Sequence, residues 1–262
     1  MKWLARGAIV VFVVLLVAGG GAVVYLSLPY HGPPPSVQQA HDDPRVTVTT
    51  ADGVHVLSPA NAESTVGFVF YPGARVAPDA YYSTFTPVVT RANVTVFVPE
   101  MPLNVALLDT DSAERIRAQH PDIQTWFVGG HSLGGVAACQ YADSHDVRGL
   151  VLFASYCNVD VSDESFAALT VTGSADTVLN RANYREAATR LPPDTTTREI
   201  EGMNHTQFAS YRGQRGDSPA SLSYDEAHRR LADLLVPWLT DHSTPVGSDA
   251  GDGRETHGER RF

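Results

Sequence analysis

The chain has 262 residues, 43% of them hydrophobic, which suits one α/β domain with a substantial core. Its 29 acidic residues outnumber 19 basic ones and leave a net charge of −10, which excludes the basic stripe that a nucleic-acid partner requires. Two cysteines are too few for a disulfide framework, and the 10 histidines fall in no ligand spacing, so no metal site is expected.

Residues 7–28 carry no charge and are mostly Val, Leu, Ala and Gly. At roughly 1.5 Å per residue the run is long enough to cross a bilayer. Lys2 and Arg6 precede it, and Asp42 and Asp43 follow it. The positive-inside rule then puts residues 1–6 in the cytoplasm and the rest of the chain outside. A signal peptide has a shorter apolar core of about 7–15 residues. The Ala18-Gly19-Gly20-Gly21-Ala22 patch is where cleavage would occur if the chain were secreted. No cysteine follows the run, so a lipoprotein anchor is excluded. Residues 29–44, with Gly32-Pro33-Pro34-Pro35, read as an extended, semi-rigid linker.

The domain is expected over residues 45–240. Residues 45–50 and 54–57 alternate apolar and polar side chains around Asp52-Gly53, the pattern of an antiparallel hairpin. Residues 66–71 are continuously apolar, as in a strand buried on both faces. A helix is predicted over 79–90, a strand over 94–99 and a helix over 104–119. Strands follow at 123–128, 147–154, 166–172 and 195–200, with helices at 136–142, 181–190 and 225–239. Strands alternating with helices mean a mostly parallel central sheet flanked by helices. Residues 241–262 are polar and Gly-rich and should be disordered. Cys139 and Cys157 are read as buried free thiols, with a disulfide as the alternative.

The most informative stretch is Gly129-Gly130-His131-Ser132-Leu133-Gly134-Gly135. It fits G-x-S-x-G between a strand and a small-residue helix, where a serine is lifted above the sheet edge on a strained turn. Active sites of parallel sheets lie at the carboxyl ends of the strands. A serine hydroxyl needs a base to take its proton and an acid to orient that base. Asp176 follows the 166–172 strand and His205 follows the last strand, which makes them the acid and base candidates. Asp160, Asp163 and Glu164 are rival acids, and a cap before the helix at Arg181 is a rival role for Asp176. The oxyanion that forms on attack needs two backbone donors. These are expected from Leu133, at the start of a helix, and Ala74, after the first parallel strand, with Gly73 allowing close backbone approach to substrate.

Over residues 46–239 the chain resembles α/β-hydrolase-fold proteins. The likeness rests on Tyr71-Pro72-Gly73-Ala74 with Tyr81-Tyr82, on Pro99-Glu100-Met101-Pro102-Leu103-Asn104, on the 129–135 turn, and on Gly202-Met203-Asn204-His205-Thr206-Gln207-Phe208. These segments are similar to a membrane-anchored or secreted branch near the dienelactone-hydrolase-like and small-esterase group. The resemblance implies a Ser-His-Asp hydrolase without metal or organic cofactor, its residues ordered Ser132, Asp176, His205. Two departures matter. The Tyr71-Pro72-Gly73 loop stands where many lipases have His-Gly, and Ser132 stands where dienelactone hydrolases have cysteine, which shifts the expected substrate to a small-molecule ester or thioester. Many relatives insert a lid at 155–165, which is short here, so an open site is expected with Tyr71, Met101, Tyr156 and Phe208 as its walls. A carboxylic ester hydrolase is the leading expectation. An acyltransferase or thioesterase on the same triad, or a non-catalytic binding module, is the alternative. Two glycosylation triplets, at Asn93 and Asn204, occur, and a glycan on Asn204 would crowd His205.

Overall fold

The computed structural model describes residues 20–21 and 23–243. Most of the expected 7–28 membrane segment and the tail beyond residue 243 lie outside the described residues. Among the described residues no helix is long and apolar enough to cross a membrane.

Eight strands form one sheet: β1 (Val46–Ala51), β2 (Val54–Pro59), β3 (Val66–Tyr71), β4 (Thr95–Pro99), β5 (Thr125–His131), β6 (Gly149–Phe153), β7 (Ala167–Gly173) and β8 (Thr196–Ile200). Their order is β1-β2-β4-β3-β5-β6-β7-β8. The β1–β2 hairpin joins β4 antiparallel, and every other neighbour is parallel. The chain steps from β3 outward to β4 and then returns to the other side of β3 with β5. That reversal opens a crevice at the carboxyl ends of β3 and β5, where open α/β sheets hold their ligands.

The fully apolar β3 explains the layering. Alternate side chains point to opposite faces of a strand. Phe68 and Phe70 join Phe85, Leu231 and Leu235 on one face, under α2 (Tyr82–Ala92) and α6 (Tyr224–Ser243). Val69 and Tyr71 join Ala137, Ala138 and Tyr141 on the other, under α3 (Ser112–Gln119) and α4 (Leu133–Ala142). The small Ala-rich face of α4 lets it lie close against the sheet. α5 (Arg181–Ala187) starts at Asn180, whose side chain accepts from the amides of Ala182 and Asn183.

Three expectations are corrected. The Pro-rich linker is not an extended spacer, since Pro34–Asp42 is a helix, α1, with Pro in its first turn and Ala40 buried. Proline suits that position because the first amides of a helix have no partner there. The helix expected over 104–119 is two single turns, Pro102–Asn104 and Ala106–Leu108, followed by α3. Leu103 and Asn104 take φ of 52° and 55°, which no α-helix accommodates. Lastly, Cys139 and Cys157 are not free thiols but form a disulfide that ties α4 to the loop after β6.

Candidate active site

Ser132 lies on the turn between β5 and α4 with φ 53° and ψ −124°. Side chains other than glycine rarely hold such a conformation, which costs on the order of 1–3 kcal/mol. The turn is held on both sides. The Ser132 amide donates to the Phe153 carbonyl at 2.9 Å, and its carbonyl accepts from the Ser155 hydroxyl at 2.6 Å and from the Gly135 amide at 3.1 Å. The glycines answer to close approach. A β-carbon on Gly130 would overlap the backbone of Gly134, and one on Gly134 would overlap the carbonyl oxygens of Tyr71 and Pro72. The start of α4 is thereby pressed against the loop that leaves β3.

That loop has its own support. The Gly73 amide donates to the Tyr81 hydroxyl at 2.8 Å, and the hydroxyl lies 3.0 Å from His131 Nδ1. With the tyrosine oxygen accepting from Gly73, its proton goes to His131, which is neutral. Burial first, and then the neighbouring His205, hold the His131 imidazole well below its ordinary value. The Gly73 amide is therefore occupied. The amides of Ala74 and Leu133 have no protein acceptor among the described residues, the latter because it opens a helix.

Asp176 and His205 are brought together. His205 Nδ1 lies 2.8 Å from Asp176 Oδ2, with 1% and 0% of the two side chains exposed. Asp176 Oδ1 accepts from the Val178 and Leu179 amides at 2.8 and 2.9 Å. Burial alone would raise the Asp176 carboxyl, but His205 and these amides outweigh it and hold the group below the ordinary carboxylate range. The cap of α5 is Asn180 and not Asp176. Asp160 is exposed and bonds Ser162, and Asp163 and Glu164 are exposed, so none of the rivals meets the histidine. His205 Nε2 is buried with no hydrogen-bond partner, and the His205 ring lies 4.5 Å from that of His131, next to Ser132. Ser132 is half-buried and its hydroxyl makes no hydrogen bond to another described residue. Such contacts are often loose before substrate arrives.

The expected walls divide. Tyr71 is wholly buried on the α4 side, where its hydroxyl donates to the Thr110 carbonyl and accepts from the Ala113 amide. Phe208 is also wholly buried and stacks on His131 with centroids 5.7 Å apart. Both brace the site from behind and do not line it, a correction that follows from which face each occupies. Met101 is 7% exposed. Tyr156 is half-buried, accepts from Asn183 and lines a cavity of about 460 Å³ with Thr170 and Tyr184. No helix or strand interrupts residues 154–166, so no helical lid stands over this part of the sheet.

Sequence reasoning missed Asp217. Its carboxylate accepts from the amides of His205 and Thr206 at 3.2 and 3.0 Å and fixes the histidine loop. Nothing in its Gly216-Asp217-Ser218 setting marks it. Ser155 and Tyr81 were likewise invisible as supports. Asn204 is committed internally, with its Nδ2 donating to the Ser218 carbonyl at 2.7 Å, which leaves no room for a glycan there.

The sequence of residues 67–229 matches the model of the alpha/beta hydrolase family. Among solved structures the chain is similar to a thermophilic esterase from Thermogutta terrifontis, with a TM-score of 0.54 and 16% identity over 79% of this chain and 96% of that one. The butyrate-bound form of that esterase gives 0.53 and 16% over 81% and 98%. The esterase domain of a Rhodothermus marinus protein gives 0.57 and 11% over 75% and 98%. At such identities the likeness is one of fold. A comparison with curated proteins found no match.

Proposed function

Because the chain belongs to the alpha/beta hydrolase family, we propose that it is a serine hydrolase that cleaves carboxylic esters through Ser132, His205 and Asp176. The observation that carries this reading is the buried Asp176–His205 pair, which leaves His205 Nε2 without a partner beside the Ser132 turn. Nδ1–H is committed to Asp176, so Nε2 is the basic nitrogen. Ser132 Oγ attacks the ester carbonyl as its proton passes to Nε2. Asp176 stabilises the imidazolium and holds its orientation. The amides of Leu133 and Ala74 receive the oxyanion. His205 returns the proton to the leaving alcohol, and water then releases the acid from Ser132 by the same route. A structural neighbour at 16% identity, solved with butyrate bound, is named an esterase, which supports an ester as the substrate class.

We also infer that residues 7–28 anchor the chain in a membrane with the domain outside the cytoplasm. The uncharged run and its flanking charges support this, and so does the disulfide, since such bonds persist in oxidising compartments.

The test is labelling of the full-length protein with a fluorophosphonate, followed by peptide mapping. Label at Ser132 that is lost in both Ser132→Ala and His205→Ala is the expected result. Loss of His205 should lower ester turnover by about a hundred- to ten-thousandfold. An unlabelled Ser132 in the folded protein would favour the binding-module alternative.

A further inference from the structure

The large apolar side chains left exposed among the described residues fall in just two segments. Val23, Val24, Tyr25 and Leu28 lie in one, and Leu103, Leu107 and Leu108 in the other. The two segments meet at Arg75, one residue from Ala74. Its guanidinium donates to the Leu28 carbonyl at 2.8 Å and lies 3.8 Å from the centre of the Tyr25 ring. Its amide donates to the Asn104 carbonyl at 2.8 Å, and Asn104 Nδ2 donates to the Leu26 carbonyl, also at 2.8 Å. Tyr30 pairs with Val76 as a short parallel bridge and stacks on Tyr211 with centroids 5.1 Å apart. The segment before α1 is thus stitched across the loop that carries Ala74. The positive φ values at Leu103 and Asn104 turn the second segment outward beside it.

Exposed apolar side chains on two segments held together in this way mark a contact surface on an acidic domain. Here the chain that enters the patch at Val23 comes from residues 7–22, which are apolar and uncharged in sequence. We propose that this rim seats the mouth of the site on a lipid bilayer, so that the esters reaching Ser132 are acyl esters dissolved in the membrane. The proposal rests on the ester-hydrolase reading and names its substrate class. Leucine and tyrosine side chains are of the kind that enter the headgroup and acyl boundary, where an arginine stacked on a tyrosine ring keeps its charged head among the polar headgroups.

The test uses the full-length protein reconstituted in phosphatidylcholine vesicles. Both native cysteines are in the disulfide, so Leu107→Cys supplies one thiol for an environment-sensitive fluorophore. Brominated lipid should quench that label and spare one at Asp146→Cys, which precedes β6 at the amino-terminal ends of the parallel strands, away from the carboxyl ends that carry the site. The double variant Leu107→Asp/Leu108→Asp should lose about tenfold or more of its turnover of a long-chain nitrophenyl ester dissolved in the vesicles, since each change removes apolar burial in lipid. Its turnover of water-soluble nitrophenyl acetate should stay unchanged. A label at 107 indifferent to brominated lipid, or shielded without lipid in proportion to protein concentration, would overturn the proposal. So would a double variant that treats both esters as the parent does. A parent inert toward both esters would overturn the hydrolase reading instead, while the quenching would still decide the rim.

Discussion

At the scale of single residues, the site is a set of buried polar groups that each serve two neighbours. Tyr81 is the clearest. Its one hydroxyl satisfies the Gly73 amide and His131 Nδ1 in a place where water does not reach, and burial drives the phenol far above its ordinary value. Tyr81→Phe keeps the ring and leaves both partners unsatisfied. An unpaired buried polar group costs about 1–3 kcal/mol. Urea unfolding of Tyr81→Phe should show a loss of that order. Ester turnover should fall as well, because Gly73 positions the Ala74 amide. Unchanged turnover would separate the Gly73 loop from oxyanion binding.

At the scale of elements, the strand-to-helix turn at Ser132 is braced from two directions, by Ser155 and by the disulfide between α4 and the loop after β6. Cys139 and Cys157 are 18 residues apart, and closing a loop of that size stabilises a domain by about 3 kcal/mol in the chain-entropy account. Reduction with a thiol in mild denaturant should therefore lower the thermal midpoint, and Cys139→Ala/Cys157→Ala should reproduce the shift without reductant. The elements also show what a sequence can disclose. Continuous apolar runs such as 66–71 and the recurring strand–helix alternation were legible because they reflect burial on both faces, a property of each segment alone. The glycines at 130 and 134 and the Asp176 and His205 loops were legible for the same reason, since strand-end position is local. The helix at Pro34–Asp42 was not, because proline in a first turn and proline in a spacer look alike. The broken segment after Pro102 depends on left-handed residues at Leu103 and Asn104, neither of which is a glycine. Cysteine pairing and the Asp217 clamp depend on distances across the fold. Tyr71 is an intermediate case: its alternation with Phe70 already assigns it to the α4 face, where it is buried and not part of a wall.

At the scale of the whole molecule, two buried histidines tie stability to pH. Burial holds His131 and His228 below their ordinary value of 6.5, more strongly for His131. In the unfolded chain both take up a proton near that value, while the folded protein does not. The unfolded state then binds more protons, so stability falls as pH drops from about 6.5 toward the folded values. The slope is at most about 1.4 kcal/mol per pH unit for each histidine. Asp176 adds a second limb. Its carboxyl is lowered on folding, so its contribution is complete above about pH 4 and is lost as pH falls through the folded value. Urea midpoints measured between pH 7.5 and 5 should therefore decline, and His228→Gln should flatten that decline. A midpoint independent of pH across this range would contradict the buried neutral state of both rings.

The disulfide has a consequence for how the protein is made. Neither sulfur is exposed in the finished domain, so no oxidant reaches them once the sheet has closed over α4. The bond is best made before the domain closes, and the 18-residue separation places both cysteines within a single α–β unit. Production in a reducing cytosol would trap two thiols in a closed core. Export before folding, or an oxidising expression host, is the route by which the cross-linked form is reached.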